Sequence, residues 1–570
     1  MYRNRSIILA LLIMLLLSGA RHNTLAQADP PDRVARLNFV EGNVSFLPSG
    51  GDEDDWVAAV LNRPLTTGDR LWADANSQAE LHIGPNAIRI DSNTGISFLN
   101  LDDTTVQIRL SDGSVNVRLR RLDPGNTLEV DTPNVAFAIK RPGNYRIDAH
   151  PDNNATIATV YQGEAEAIGG GRSWQVISDQ QAFFTGTDTL EYDLKDADAQ
   201  PLGDFDRWAR SRDEQEDRIA AATSPYVSPE MTGYEDLNAY GTWTQVPEYG
   251  WCWYPSRVVV GWAPYRFGHW VWIAPWGWTW VDDEPWGFAP FHYGRWAYYR
   301  AAWIWVPGPI AVRPVYAPAL VAWVGGRGFS FSVSVGGGPV GWFPLGPREV
   351  FVPAYHVSER YVTNINVTNT VVNRTTVINV YNNRNYQNAV FMNRAAPGAL
   401  TVVSRDTFVT ARPVARNVVS VPARELASAP ISRTVEAAPE RASVYGAGSH
   451  NAPRPPARVM DRPVVARQTP PPPPNHFGQP QNRPLDRPPG SDRPSDRTVS
   501  RPPDRVAPAR PSVEPPRVQQ PARSQVRPAP PVRPPTAKER SDIQAKQKSW
   551  ENAHPRNNKD QKEKRDSRRN

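Results

Sequence analysis

The stretch YGTWTQVPEYGWCW at residues 240–253 returns as FGHWVWIAPWGWTW at 267–280 and, one residue shorter, as YGRWAYYRAAWIW at 293–305. Each copy opens on an aromatic residue, Gly, any residue and Trp, and closes on a Trp-x-Trp pair. Between copies lies a second shared piece, GWAPYRFG from Gly261 and GFAPFHYG from Gly287, so the unit recurs every 26 or 27 residues. Internal repeats of this kind decide architecture. The paired tryptophans sit two apart, so in a strand both rings leave by the same face. Pro247 with Gly250, and Pro275 with Gly277, supply a turn within the unit. Each copy therefore reads as a β-hairpin, and since a lone hairpin is marginal in water the copies must share a core.

Fifteen of the chain's 20 tryptophans lie between Trp243 and Trp342, and two uses for them remain open. Small hairpins lack aliphatic core, and indoles burying ~150–250 Å² each compensate. Alternatively some rings stay exposed as a platform for sugar faces or a quaternary ammonium. The candidate platform is Trp251, Trp253, Trp270, Trp278, Trp280, Trp296, Trp303 and Trp305, with Asp282 and Asp283 as carboxylates beside it. GWAPYRFGHWVW and GFAPFHYGRWAYY resemble the repeats of choline-binding and related cell-wall-binding proteins, which implies a wall or glycan ligand. Pro264, Pro290 and the longer period depart from that pattern.

Upstream, residues 34–190 alternate polar and apolar in short bursts: AELHI from Ala79, AIRI from Ala87, TVQIRL from Thr105, SVNVRL from Ser114 and TIATVY from Thr156. These are half-buried strands, and an all-β sandwich or solenoid follows. The order of LNFVEGNVSFL, PLTTGDRLW, IRLSDGSVNVRL, LEVDTPNVAFAIKRPGNYRIDA and TVYQGEAEAI resembles the FecR domain of bacterial envelope proteins. That resemblance implies an extracytoplasmic binding or scaffolding role, or an accessory role in envelope signalling. His82 and His150 read as structural residues, and the acidic run Asp52–Asp55 as a solvated loop.

Residues 1–28 carry a basic start, the apolar run Ile7–Leu17 and Ala26-Gln27-Ala28, the pattern of a cleaved export signal. The expected location is the periplasm or the cell exterior, with no membrane-spanning segment after cleavage. One amphipathic helix is expected over residues 202–222, joining the two β regions, with its Trp208 face packed and its charges outward. His269 and His292 exchange places with Arg295 and Arg266 between copies, which suggests surface contacts. The Trp-rich module is assigned to residues 224–357, with FSFSVSV (329–335) as a further strand. It is similar to an uncharacterised family of exported bacterial proteins, a likeness that brings no activity.

Residues 358–394, rich in Asn, Thr and Val, are expected to be extended. From residue 395 to 570 the composition turns to Pro and Arg, and a disordered tail is expected. The chain has 58 Pro, one Cys and a net charge of +6. A single cysteine excludes an internal disulfide. No Ser-His-Asp, Cys-His, metal-spaced or phosphate-cradling set is evident, so neither an enzyme nor a cofactor or metal is expected. Expected partners are envelope polysaccharide, peptidoglycan or another envelope protein, and no nucleic acid, since no aromatics interleave with the tail arginines.

Overall fold

A computed structural model describes residues 28–150, 152–199, 201–223, 225–310, 313–325, 338–383, 390–448, 450–460, 462–474, 476–477 and 526–528. Residues 1–27 of the expected export signal, the segment FSFSVSV expected to be a strand, and most of the tail beyond residue 477 lie outside the described residues.

The protein is all-β, with a few helices at its joints. Its first 17 strands, from Ala35–Glu41 to Glu191–Asp196, form one hydrogen-bonded network folded into two layers. The 15-residue strand Thr105–Leu119 belongs to both layers. Its first half pairs with Thr94–Leu101 and Thr127–Asp131, its second with Asn86–Ile90 and Gly143–His150. The change of layer falls at Gly113, which has φ 93°, and an added Cβ there would stand 2.2 Å from Thr94 Oγ1. Only glycine accepts both conditions. The bursts TVQIRL and SVNVRL, which read as separate strands, are thus one strand bent at Gly113. Between the layers lies an aliphatic core that includes Leu37, Ile88, Val115, Ile96, Ile108 and Val130.

The repeats form three hairpins: Gly241–Val246 with Gly250–Pro255, Gly268–Ile273 with Gly277–Asp282, and Arg295–Tyr299 with Ala302–Val306. The first and third join through Trp253 opposite Trp305. Tryptophans oppose one another across each ladder: Trp243 with Trp253, Trp270 with Trp280, Trp296 with Trp305. The glycine that opens each copy has a physical cause. A Cβ on Gly241, Gly268 or Gly294 would stand 2.3, 2.7 or 2.5 Å from the indole of Trp253, Trp280 or Trp305. Each glycine is the seat of its own hairpin's last tryptophan. A fourth small sheet, built from Val321–Val324, Pro339–Pro344, Thr401–Ser404 and Ile431–Ser432, completes the module.

Two expectations are corrected. Residues 358–394 are not extended but carry the helices Glu359–Val367 and Arg374–Asn382, capped by Ser358 and Asn373. Their inward polar residues supply what apolar ones do not. Asn366 donates to Phe351 O and Val362 O, and Asn369 to Val315 O and Ile365 O, so buried loop carbonyls are satisfied. The tail, in turn, does not begin at residue 395. Thr401–Ser404 is a strand of the fourth sheet, and residues 441–476 run as a strap over the sandwich, placing Tyr445, Val459 and Met460 in its core. The strap lacks enough apolar surface to fold alone, and the rest of the molecule provides that surface.

Candidate functional site

The densest chemistry in the molecule lies where the sandwich, the linker helix and the Trp-rich module meet. The helix runs Asp204–Thr223 across the outer face of the sandwich. Strand alternation points Glu80, His82 and Arg89 outward there, where solvent was expected. The helix covers them with a face that includes the expected Phe205 and Ala209 but is widened to bury the acids Asp206, Asp213 and Glu216. Trp208 packs at the margin, 5.8 Å from Phe39.

His82 is the post of this knot. Its Nδ1 lies 2.5 Å from Glu235 Oε1 on the Trp-rich module. Its Nε2 lies 3.3 Å from Glu216 Oε1 on the helix and 3.2 Å from Glu80 Oε1 on its own strand. Arg89, fully buried, bonds Glu80 at 2.7 Å, Asp213 at 2.8 Å and Glu216 at 2.9 Å. Arg212 reaches Glu80 at 2.5 Å, and Arg36 joins Glu235 at 3.1 Å and Asp236 at 2.5 Å. Burial alone lowers the His82 pKa, but Glu235 and Glu216 outweigh it and hold the imidazole well above its usual range. Burial would raise the Glu80 pKa, yet the hydrogen bond and charge of His82, with Arg212 and Arg89, carry it well below. The knot is a set of paired buried charges in which His82 carries a proton.

Among the described residues, Glu80, His82 and Glu216 are the one group whose ligand atoms lie close enough, within 4.8 Å, to hold a metal ion. Both carboxylates are already bonded to Arg89, and Glu80 also to Arg212. A proton on His82 and the guanidinium groups supply the positive charge that a metal would bring. Strand alternation and the seven- and three-residue spacing of Asp206, Asp213 and Glu216 were the signal for this site. Neither means much until the two faces are placed together.

The rings offered as a ligand platform lie inside. Trp253, Trp280 and Trp305 are fully buried, Trp270 and Trp296 nearly so, and Trp278 and Trp303 are at most 8% exposed. Trp251 alone of the eight stands out, at 42%, against the edge of Tyr226. Several of the buried rings have their N–H groups seated on acceptors. Trp253 donates to Leu237 O, Trp278 to Ala437 O, Trp296 to Pro290 O and Trp305 to Tyr293 O. Asp282 is buried and accepts from Trp280 Nε1 and Glu284 N; burial raises its pKa well above normal. Asp283 remains largely exposed.

Of the exchanged residues, expected at the surface, His269, His292 and Arg295 are buried, while Arg266 is half-buried. Arg295 donates to Glu349 O and Asn366 Oδ1. His292 bonds Ala317 O through Nδ1, and burial pushes its pKa down to about 3. Burial likewise raises the Cys252 thiol to about 12.

Residues 234–349, the hairpin module from just before Glu235, match a family of unknown function, DUF6600. Two crystal structures of a proposed anti-sigma factor from Parabacteroides distasonis, at 2.50 and 1.65 Å resolution, are similar over 23% of this chain, with 14% identity and a TM-score of 0.21. The matched part spans 61% of the length of those chains. No curated protein matches. No described helix is long and apolar enough to cross a membrane.

Proposed function

We propose that this chain is a non-enzymatic, exported envelope protein that works as a scaffold, holding a partner at the cell surface through its β surfaces. One observation carries the reading: sandwich, linker helix and Trp-rich module are tied together by a buried knot of paired charges centred on His82. Breaking a buried ion pair is costly, so such a knot fixes relative position. The groups on which a reaction would draw are engaged in structure: Cys252 is a buried protonated thiol, Asp282 bonds an indole, and His292 is a buried neutral imidazole. The export pattern of residues 1–28 and the FecR resemblance of residues 34–190 support an envelope setting, and the latter also suits an accessory role in signalling.

The test combines quenching and binding on the full-length protein. Acrylamide should reach a minor fraction of the tryptophan emission, Trp251 foremost, and peptidoglycan fragments or polysaccharide should leave the spectrum unchanged. A large accessible fraction together with a saturable change on adding glycan would overturn the scaffold in favour of a sugar-binding platform. Recovery of the protein in the cytoplasm with residues 1–28 still attached would overturn export.

A further inference from the structure

The strap of residues 441–476 lies on the sandwich as a bound peptide lies on its receptor. Polar side chains of the sandwich reach its backbone: Ser45 Oγ donates to Pro453 O at 2.6 Å, Ser49 Oγ to Pro474 O at 2.7 Å, and Arg63 to Val444 O and Tyr445 O. Arg109 donates to Arg462 O, Gln107 to Gln468 O, and Val465 N to Thr132 O. Strap arginines meet acids. Arg467 bonds Glu129 at 2.5 Å through Nε and at 3.0 Å through its backbone N–H. Arg441 reaches Asp52 and Asp55, and Arg454 reaches Asp54, surface pairs on a loop that stays largely exposed, as expected.

The sandwich is shaped for this occupant. A Cβ on Gly95 would stand 2.9 Å from Val459 and 3.0 Å from Met460, and one on Gly68 would stand 2.6 Å from Pro473. Hydrogen bonds to the main chain of an extended segment, with pockets for its side chains, are one of the recurring modes of peptide recognition. The chain also holds a second sequence of the same kind outside the described residues. Asp461-Arg-Pro-Val-Val-Ala-Arg467 and Asp504-Arg-Val-Ala-Pro-Ala-Arg510 share Asp, Arg, Ala and Arg at equal spacing. Pro508 stands where Val465 donates its N–H to Thr132, so the second copy lacks one hydrogen bond.

We propose that the groove lined by Gln107, Arg109, Glu129 and Thr132 is a peptide-binding site that the strap fills in cis, and that it accepts in trans the Asp504–Arg510 sequence of a second copy of this chain. The inference deepens the scaffold reading by naming what is held. Because it is tested with purified protein and peptides, its failure is separate from a failure of export or of the scaffold itself.

The experiment measures fluorescence anisotropy of labelled peptides spanning residues 461–468 and 504–511 against the full-length chain. The wild type should bind weakly, its groove being filled. Arg467→Glu weakens the cis strap and should tighten binding of both peptides at least about tenfold, the change expected when a charge pair worth ~1.4 kcal/mol is lost. The 504–511 peptide should bind several-fold less tightly than 461–468. Adding Glu129→Arg to Arg467→Glu restores a charge pair in cis and should abolish the gain. A folded Arg467→Glu chain that binds neither peptide would overturn the site, as would failure of that variant to fold, which would make the strap part of the core and not a ligand. Binding of 461–468 without 504–511 would overturn the second copy as occupant.

Discussion

The sandwich of residues 35–196 and the hairpins of residues 241–306 bury the same kind of strand with unlike side chains. In the first, Leu, Ile and Val from two broad layers meet, and no single contact fixes the arrangement. In the second, strands of five or six residues surround indoles, each ring touching several others: Trp270 lies 5.4 Å from Trp280, 4.8 Å from Trp323 and 5.3 Å from Trp342. Aliphatic packing is tolerant because it is non-directional, whereas an indole brings a shape and, at Trp253, Trp296 and Trp305, an N–H seated on one backbone acceptor. Short hairpins gain from this a core that specifies register as well as burying area.

Glycine substitutions set the scale: close contacts occur in both regions, at Gly113 in the sandwich as at Gly268 in the hairpins, and the loss follows the contact. Gly268→Ala places a methyl 2.3 Å from Val281 O and 2.7 Å from Trp280, and should cost about 3–5 kcal/mol. Gly125→Ala in the sandwich meets nothing within 4 Å and carries only its positive φ of 87°, so about 1 kcal/mol is expected. Urea unfolding of both variants, followed by fluorescence, checks the ratio. Truncating one ring sharpens the point. Trp280→Phe removes the indole donor to buried Asp282 Oδ2, leaving Glu284 N on the other oxygen, and should cost about 3 kcal/mol, against about 1 kcal/mol for Ile88→Val in the sandwich. Equal losses from the two would break the comparison.

The knot between the regions has its own signature. His82→Gln removes the charge shared by Glu216, Glu235 and Glu80 and should cost about 3 kcal/mol near pH 6. Because the folded His82 pKa lies above the unfolded one, its contribution is fully present below about pH 6.5 and is lost as pH rises through the folded value. Wild type and variant should therefore converge in thermal unfolding at alkaline pH, and a chelator should leave the wild-type transition in place. A smaller effect is expected at Asp32, on the segment entering the sandwich. Burial, then Asp103, raises its pKa to about 7, so the folded protein favours the protonated acid. Asp32→Asn should match the wild type near pH 4 and be the more stable of the two at pH 8. Identical melting curves at pH 8 would remove that acid pair from the account.

Much of this division was legible. Period-two alternation marked the sandwich strands, and the repeat marked three hairpins with their turns, because both patterns are local. The site was not. His82 read as a structural residue, and it is one, but nothing local named its partners. The charges of the helix read as its solvated side, a reading that was locally sound and became wrong for Asp213 and Glu216 once the two faces met. Asn366 and Asn369 misled in the same way, since β-branched neighbours suggested strands while capping by Ser358 and inward hydrogen bonds produced helices.

By itself the sequence determined that the chain is all-β, that its middle is three tryptophan hairpins, and that a helix follows the first strands, since these depend on spacing within a dozen residues. Tertiary structure decided which way each described indole faces, that charged surfaces close into a knot, and that Tyr445, Val459 and Met460 of an arginine- and proline-rich segment pack into the sandwich core. Burial is a property of what packs above a residue, and for His82, Trp280 and Arg467 the covering groups come from parts of the chain that local pattern does not join.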